Sequence, residues 1–90
     1  MTCEQDVEII NKLGLHARAA ARFVQTASEF AAEITVSLNS KGINGKSIMG
    51  VMMLAAARGS VIHIRAEGKD AKRAMKQLVA LIQDRFGEGE

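Results

Sequence analysis

The chain has 90 residues, of which 48% are hydrophobic and 24% charged, and this balance is typical of a globular protein with one modest core. A formal net charge of +2, spread over dispersed basic residues, does not favour nucleic-acid binding, and an aromatic content of 3% argues against RNA recognition by base stacking. One cysteine and two widely separated histidines exclude an internal disulfide and a metal cluster.

No segment resembles a targeting signal or a membrane span. The N-terminal residues MTCEQDVEII are acidic and lack an apolar secretory core, and no apolar run approaches the roughly 20 residues of a membrane helix. We therefore expect a cytoplasmic protein without membrane insertion. Since neither a linker nor an internal repeat interrupts the chain, residues 1–90 are expected to form a single domain with a flexible acidic tail over residues 87–90.

The first predicted strand and helix lie on either side of Gly14. Apolar and polar residues alternate at the end of Glu4–Ile10, with Val7 and Ile9 on one face, which indicates a half-buried strand. After Gly14 an amphipathic helix starts near His16. Its inward stripe consists of apolar residues at helical spacing: Ala20, Phe23, Val24, Ala27 and Phe30. The polar side chains of Arg18, Arg22, Gln25 and Glu29 fall outside this stripe.

A hairpin and a short helix follow. Glu33–Leu38 alternates as a strand does, and Lys41–Ile43 returns as a short strand after an Asn-Ser turn. The apolar run Ile48–Ala57 predicts the second helix. Ser47 is its expected N-cap, and Arg58-Gly59 is its expected stop signal.

The last strand and helix complete the order β-α-β-β-α-β-α. Val61–Ala66 alternates, with His63 on the outward face as an expected structural residue, and Asp70 is expected to cap the final helix. The inward stripe of this helix is Ala74, Leu78, Leu81 and Ile82. Four strands with one apolar face each, and three helices that need this face, predict an α+β fold. In it an antiparallel sheet is covered by helices on one side.

The segment from Gly14 to Arg18 is the strongest candidate for chemistry. It places His16 at the first turn of a helix, where unpaired backbone N–H groups and a partial positive charge disfavour imidazolium, so we expect a neutral, nucleophilic ring near pH 7. A phosphoryl group on this ring would meet the N–H groups of Ala17 and Arg18 and the Arg18 guanidinium. A histidine near a helix start is also commonly an ordinary surface residue, and spacing alone does not choose between these readings.

The second helix carries two further candidates. Ser47 as an N-cap stabilises its helix by about 0.5–2 kcal/mol without any further role, but a phosphate there would place a dianion beside the next turn. Ile48, Met49, Met52 and Met53 make this helix apolar nearly all round, whereas a helix on a sheet buries one stripe. Each of the four is either a core residue or part of an exposed docking surface, for which flexible methionines are suited. No catalytic triad, Walker loop or paired-carboxylate motif predicts a turnover enzyme.

Three segments together, Asn11–Ala20, Lys46–Gly50 and Ala66–Gly68, resemble the histidine-containing phosphocarrier proteins (HPr) of the bacterial phosphotransferase system. The resemblance covers essentially the whole chain. It implies the HPr-like open-faced β-sandwich, with a four-stranded antiparallel sheet under three helices, and a stoichiometric carrier without cofactor or metal. It also implies that Enzyme I, charged by phosphoenolpyruvate, phosphorylates His16 on Nδ1 with the assistance of Arg18, and that the group passes to enzyme IIA proteins.

The resemblance assigns further roles on the second helix. Ser47 matches the serine that HPr kinase/phosphorylase modifies in many bacteria. The residues that match the partner-docking patch are Ile48, Met49 and Met52, together with Ala20 on the first helix. Two positions depart from the family pattern: Ala17 replaces a hydroxyl residue of some members, and Ala19 stands where many members have proline. We expect these departures to change transfer rates modestly.

Two alternatives stay open at this point. The chain is compatible with a nitrogen-related or purely regulatory phosphotransfer branch without sugar transport. It is also compatible with a non-catalytic binding module that presents its methionine-rich helix while His16 is incidental. A monomer is expected in the carrier reading, because a carrier must offer the same face to successive partners.

Overall fold

A computed structural model describes residues 1–90 as a four-stranded antiparallel sheet covered on one face by three α-helices, which confirms the predicted fold class. The elements, in chain order, are β1 Thr2–Glu8, α1 Ala17–Ala27, β2 Glu33–Leu38, β3 Lys41–Asn44, α2 Ile48–Met53, β4 Val61–Glu67, α3 Ala71–Gln83 and a short 3₁₀ turn Arg85–Gly87. None of the helices combines the length and the apolar character that crossing a bilayer requires.

The strands are arranged in the order β1-β4-β2-β3, and each neighbouring pair is antiparallel. Because side chains alternate along a strand, the predicted inward residues all reach the helix-covered face. Val7 lies opposite Ile62, and Val36 lies opposite Ile64, and all four are buried. The predicted turn between β2 and β3 is a two-residue hairpin turn, in which Asn39 and Ser40 both have positive φ.

The outer face of the sheet carries polar side chains, as the alternation predicts. His63 lies on this face between two carboxylates of β1, with Nδ1 2.7 Å from Asp6 Oδ1 and Nε2 2.8 Å from Glu4 Oε1. The hydrogen bond with Asp6, followed by that with Glu4, raises the pKa of His63. The outward placement of His63 is confirmed, and its ring links β4 to β1 through these two carboxylates.

The core lies between the sheet and the helices α1 and α3. Small residues on the facing sides of these helices allow close packing around the larger side chains, among them Phe23, Leu78 and Ile82, which are fully buried. The predicted stripes are confirmed with small differences. Phe30 is buried but follows the end of α1, and Val24 and Leu81 are only half-buried.

The second helix ends earlier than predicted. α2 stops at Met53, so the prediction that it continues to Ala57 with Arg58-Gly59 as its stop signal is wrong. Ala55 has a φ of +51°, and the carbonyl of Ala56 then accepts a hydrogen bond from the Leu15 N–H at 2.9 Å. The chain leaves the helix in order to pair with the segment that precedes α1.

Asp70 occupies the N-cap position of α3, but its side chain does not cap that helix. Its two carboxylate oxygens instead accept hydrogen bonds from the N–H groups of Ala31 and Ala32, each at 2.8 Å. The bond from Ala31 is the main reason that the pKa of the Asp70 carboxyl is lowered. The expected capping bond is therefore replaced by a link between the start of α3 and the loop before β2.

The C-terminal residues, predicted to be a flexible tail, are folded against the rest of the chain. Phe86 is fully buried, and the N–H groups of Gly87 and Glu88 donate to the carbonyls of Asp84 and Arg85, each at 2.9 Å. The main-chain oxygen of Glu90 accepts from the Lys12 N–H at 2.6 Å. Residues 87–90 therefore contact the rest of the chain through these bonds, and the buried Phe86 just before them holds their start against the core.

Candidate functional site

The loop before α1 holds His16 at the start of the helix. Gly14 adopts a φ of +67°, in the left-handed region that favours glycine, and a Cβ added there would lie 2.5 Å from the carbonyl oxygen of Ala56. Glycine therefore permits the close approach in which Leu15 donates to Ala56. This contact ties the residues just before His16 to the segment that follows α2.

His16 is the N-cap residue of α1. Its backbone is extended, with φ −74° and ψ 179°, and its Nδ1 accepts a hydrogen bond from the Arg18 N–H at 3.3 Å. The first backbone bond of the helix runs from the Ala20 N–H to the His16 carbonyl at 2.8 Å. The N–H groups before Ala20, including those of Ala17 and Arg18, thus lie at the positive end of the helix dipole without helical carbonyl partners.

The Arg18 side chain is exposed and enters neither a salt bridge nor a side-chain hydrogen bond. A free guanidinium two residues after His16 is available for an anion at the same helix end. The structure therefore brings together the three predicted groups: the His16 ring, the backbone N–H groups and the Arg18 guanidinium.

The other ring nitrogen of His16 has a partner that the sequence reasoning missed. Nε2 pairs with the carboxylate oxygen Oε2 of Glu88, while Oε1 of the same carboxylate accepts from Asn11 Nδ2 at 3.0 Å. Partial burial acts to raise the pKa of Glu88, but the hydrogen bonds from Asn11 and His16 outweigh it and lower the pKa. The available signal was Phe86, since an aromatic residue near a chain end is expected to be buried and to hold its neighbours in place.

Two further residues hold this arrangement. Asn11 is fully buried, and its Nδ2 also donates to the Gly14 carbonyl at 2.8 Å, so it links the loop before His16 to Glu88. Arg22, predicted to be a solvated residue, donates through Nη1 to the carbonyl of Phe86. The surroundings of His16 therefore include the C-terminal residues as well as the start of α1.

Ser47 is the N-cap of α2, as predicted. Its backbone is extended, and its Oγ accepts a hydrogen bond from the Gly50 N–H at 3.1 Å. The side chain is half-buried, and α2 packs against α1. Ser47 consequently lies on the layer of helices that also carries His16.

Four large apolar side chains of α2 are exposed, including Met53 at 61%. We define the apolar patch as the other three, Ile48, Met49 and Met52, with exposures of 45%, 69% and 39%. Their predicted exposure is confirmed. Ala20 is completely buried, so its prediction as a docking residue is wrong, because its side chain faces the core from the inner side of α1. Leu13, in the loop before His16, is 66% exposed and was missed as a further apolar surface residue.

The arrangement has the parts needed to bind and hold a phosphoryl group, namely a nucleophilic nitrogen, helix N–H donors and a free guanidinium. None of the depressions on the surface is lined by His16. No three His, Cys, Asp or Glu side chains lie together in a group that holds a metal ion. An exposed site of this kind is suited to a group presented by a second macromolecule.

Comparisons with known proteins agree with this chemistry. The family described as the PTS HPr component phosphorylation site matches residues 3–84. The chain is 58% identical to the phosphocarrier protein HPr of Neisseria meningitidis serogroup A over 97% of its length and 98% of that protein. It resembles the crystal structure of HPr-C-His from Thermoanaerobacter tengcongensis with a TM-score of 0.93 and 52% identity, covering 96% of this chain and 97% of the other.

A second solved structure from the same organism is described as an HPr dimer. It matches with a TM-score of 0.78 and 54% identity, over 91% of this chain and 94% of that one. The likeness to these structures confirms the HPr-like open-faced β-sandwich. Family match, sequence identity and fold agree over nearly the full length, and the chain therefore belongs to the HPr phosphocarrier proteins of the phosphotransferase system.

Proposed function

We propose that the chain accepts a phosphoryl group from phospho-Enzyme I on Nδ1 of His16 and transfers it to enzyme IIA proteins. The observation that carries this proposal is the position of Nδ1, which lies at the N-terminus of α1 and accepts from the Arg18 N–H at 3.3 Å. A phosphoryl group bound to Nδ1 enters the region where the helix dipole and the free N–H groups favour an anion.

Transfer begins with attack of the Nδ1 lone pair on phosphorus. The bond between phosphorus and the donor breaks, and the donor keeps that electron pair, so the phosphoryl group moves without net gain or loss of electrons. Its oxygens then accept from the N–H groups of Ala17 and Arg18 and from the Arg18 guanidinium. These contacts stabilise the phosphorylated state while leaving it exposed to the acceptor.

Partner docking is assigned to the apolar patch on α2. No cavity surrounds His16, so donor and acceptor must present their own reactive groups to an exposed helix end. The patch supplies apolar surface on the helix that packs against α1. The carrier is stoichiometric in this scheme, and we propose that residues 1–90 act as one domain.

The test of phosphoryl transfer is intact-mass analysis after incubation with Enzyme I and phosphoenolpyruvate. The expected product carries one acid-labile, base-stable phosphate, and His16→Ala carries none while retaining the circular dichroism spectrum of the fold. If the wild-type chain remains unmodified by an Enzyme I that charges another HPr, the proposal is wrong.

We also propose that HPr kinase/phosphorylase modifies Ser47 and that the modification weakens transfer. A phosphate on this N-cap residue places negative charge directly beside Ile48 of the patch, where it repels an acidic partner surface. Ser47→Asp is expected to slow phosphorylation by Enzyme I. Ser47→Asn is the matched control, since asparagine caps a helix as well as aspartate does and adds no charge. Equal rates for the two variants would contradict the electrostatic argument.

The working form is proposed to be a monomer, in which the same face meets successive partners. Because a related structure from Thermoanaerobacter tengcongensis is described as an HPr dimer, the oligomeric state should be measured. Light scattering of the purified chain at the concentrations used for transfer should give the mass of one chain. A dimer that transfers phosphate at full rate would contradict the proposal.

A further inference from the structure

The contact between Glu88 and His16 brings the last residues of the chain to the phosphoacceptor ring. Glu88 lies 72 residues from His16 in sequence, and its side chain is only 9% exposed, against 26% for the histidine. The carboxylate therefore faces Nε2 in a largely enclosed position. This contact is on the side of the ring opposite to the helix N–H groups.

The hydrogen-bond partners of the ring define its tautomer. A carboxylate accepts hydrogen bonds and donates none when it is ionised, and the hydrogen bonds from Asn11 and His16 favour its ionised form. Nε2 must then carry the proton. In a neutral imidazole the lone pair is left on Nδ1, which is the atom that accepts from the Arg18 N–H.

We propose that Glu88 is a positioning residue for phosphoryl transfer: by accepting the Nε2 proton of His16 it keeps the ring in the tautomer whose nucleophilic nitrogen is Nδ1. This inference rests on the proposed function and adds a role for the C-terminal residues. The proton stays on Nε2 as Nδ1 forms its bond to phosphorus and the donor retains the electron pair of the broken bond. The ring gains positive charge in that step, and the Glu88 carboxylate faces it.

The position of Glu88 is built by the fold. Phe86, two residues earlier, is fully buried, and its carbonyl accepts from Arg22 of α1. Gly87 has a φ of +75° and passes so close to Arg22 that a Cβ would lie 2.9 Å from Nη1. The buried Phe86 and the turn at Gly87 therefore direct the side chain of Glu88 to the His16 ring.

Asn11 determines which atom of residue 88 would face His16 in the variant Glu88→Gln. Its Nδ2 group donates to the Gly14 carbonyl at 2.8 Å, which orients the amide, and the same group donates to Glu88 Oε1 at 3.0 Å. In Glu88→Gln the amide oxygen takes the place of Oε1 toward Asn11, so the amide NH₂ faces Nε2. Nε2 must then accept, and the ring proton moves to Nδ1.

The experiment compares the wild-type chain, Glu88→Gln and Glu90→Gln, which removes the same charge two residues further on. The Glu90 side chain forms no hydrogen bond or salt bridge, so the control keeps the Glu88 contact. ¹⁵N NMR of labelled histidine in alkaline buffer identifies the unprotonated ring nitrogen. Single-turnover phosphorylation by Enzyme I measures the rate in parallel.

We expect Nδ1 to be the unprotonated nitrogen in the wild type and in Glu90→Gln, and Nε2 in Glu88→Gln. Phosphorylation of Glu88→Gln should be slower by about tenfold or more, as the loss of a charge-assisted hydrogen bond implies, with the rate of Glu90→Gln unchanged. An unchanged tautomer in Glu88→Gln overturns the inference, whatever its rate. Failure of the wild type to be phosphorylated, with the tautomers as expected, overturns the proposed function while the role of Glu88 on the ring stands.

Discussion

Replacing Gly14 with alanine tests how closely the loop before His16 is fitted to the rest of the chain. At a φ of +67°, the new Cβ would lie 2.5 Å from the Ala56 carbonyl oxygen and 3.0 Å from the Ala57 Cα. Both contacts are with backbone atoms, which no rotamer change relieves. The Ala56 oxygen is also the acceptor of the Leu15 N–H, so moving it disturbs a hydrogen bond of 2.9 Å.

The expected loss of stability has two parts. An alanine in the left-handed region costs about 1–2 kcal/mol. Displacing the Ala56 carbonyl weakens its hydrogen bond with Leu15 and strains the packing, which adds about 1–2 kcal/mol. We therefore expect Gly14→Ala to lower the free energy of unfolding by about 3 kcal/mol, a large share of the roughly 5–15 kcal/mol of a typical domain.

The matched control is Gly59→Ala. Gly59 also has a positive φ, of +92°, but nothing lies within 4 Å of the Cβ that alanine would add. This variant isolates the cost of the backbone conformation, so the difference between the two variants measures the clash at Ala56. Urea unfolding of both variants, fitted with the same m-value, gives the two free energies of unfolding to be compared.

The same pair of variants reports on function. Because Gly14 is two residues before His16, Gly14→Ala should slow phosphorylation by Enzyme I under conditions where it is still folded, and Gly59→Ala should not. If the two alanine variants lose the same stability, the clash of the added Cβ with Ala56 does not destabilise the chain, and the prediction for Gly14→Ala is refuted.

Three further predictions concern the surface. Hydrogen bonds from loop amides lower the pKa of Asp70 from its ordinary 3.8. The stability that they add to the folded chain is therefore fully present above pH 3.8 and is lost as the pH falls through the lowered pKa. Thermal melts of the wild type and of Asp70→Asn should converge in strong acid. The pKa of His63 is raised by Asp6 and then by a second carboxylate. The wild type should therefore be more stable than His63→Gln in mild acid, and this difference in stability should disappear as the pH rises through the raised pKa. A difference independent of pH would contradict this. Met49→Gln should slow phosphorylation by about fivefold at unchanged Tm, whereas Val61→Gln, also at an exposed apolar residue but on β4, should leave the rate unchanged.

The parts of the fold that depend on local pattern are predictable from the sequence. Alternation located β2 to the residue, because a sheet buried on one face requires apolar side chains at every second position. Ser47 was identified as an N-cap because the capping bond to Gly50 spans three residues. In both cases the signal is local, as an alternation of apolar and polar residues or as a spacing of three residues, although β2 itself pairs with the distant β4.

The errors occur where distant segments meet. The end of α2 depends on the bond between Leu15 and Ala56, and Asp70 turns away from its helix toward Ala31 and Ala32. No local signal records either contact. Ala20 is a different case, since the helical spacing that places it in the inward stripe also removes it from a docking surface.

About half of the candidate site could be predicted from the sequence. His16, the N–H groups and Arg18 follow one another along the chain, and the geometry of a helix start brings them together. Glu88 reaches the same ring from the other end of the chain, and its acidic, glycine-rich surroundings are typical of a solvated tail. The burial of Phe86, together with the hydrogen bonds from Arg22 and Asn11, brings it back to the core.

The hydrogen bond between the Lys12 N–H and the main-chain oxygen of Glu90 has a practical consequence for anyone who modifies this protein. An affinity tag, a fluorescent protein or a linker joined after Glu90 would start beside Lys12, in the loop that leads to His16, where the proposed partners approach. Met1 instead bonds to Gly68 at the far end of β1, whose seven residues extend about 20 Å away from this loop. Attachments to this phosphocarrier therefore belong at the N-terminus.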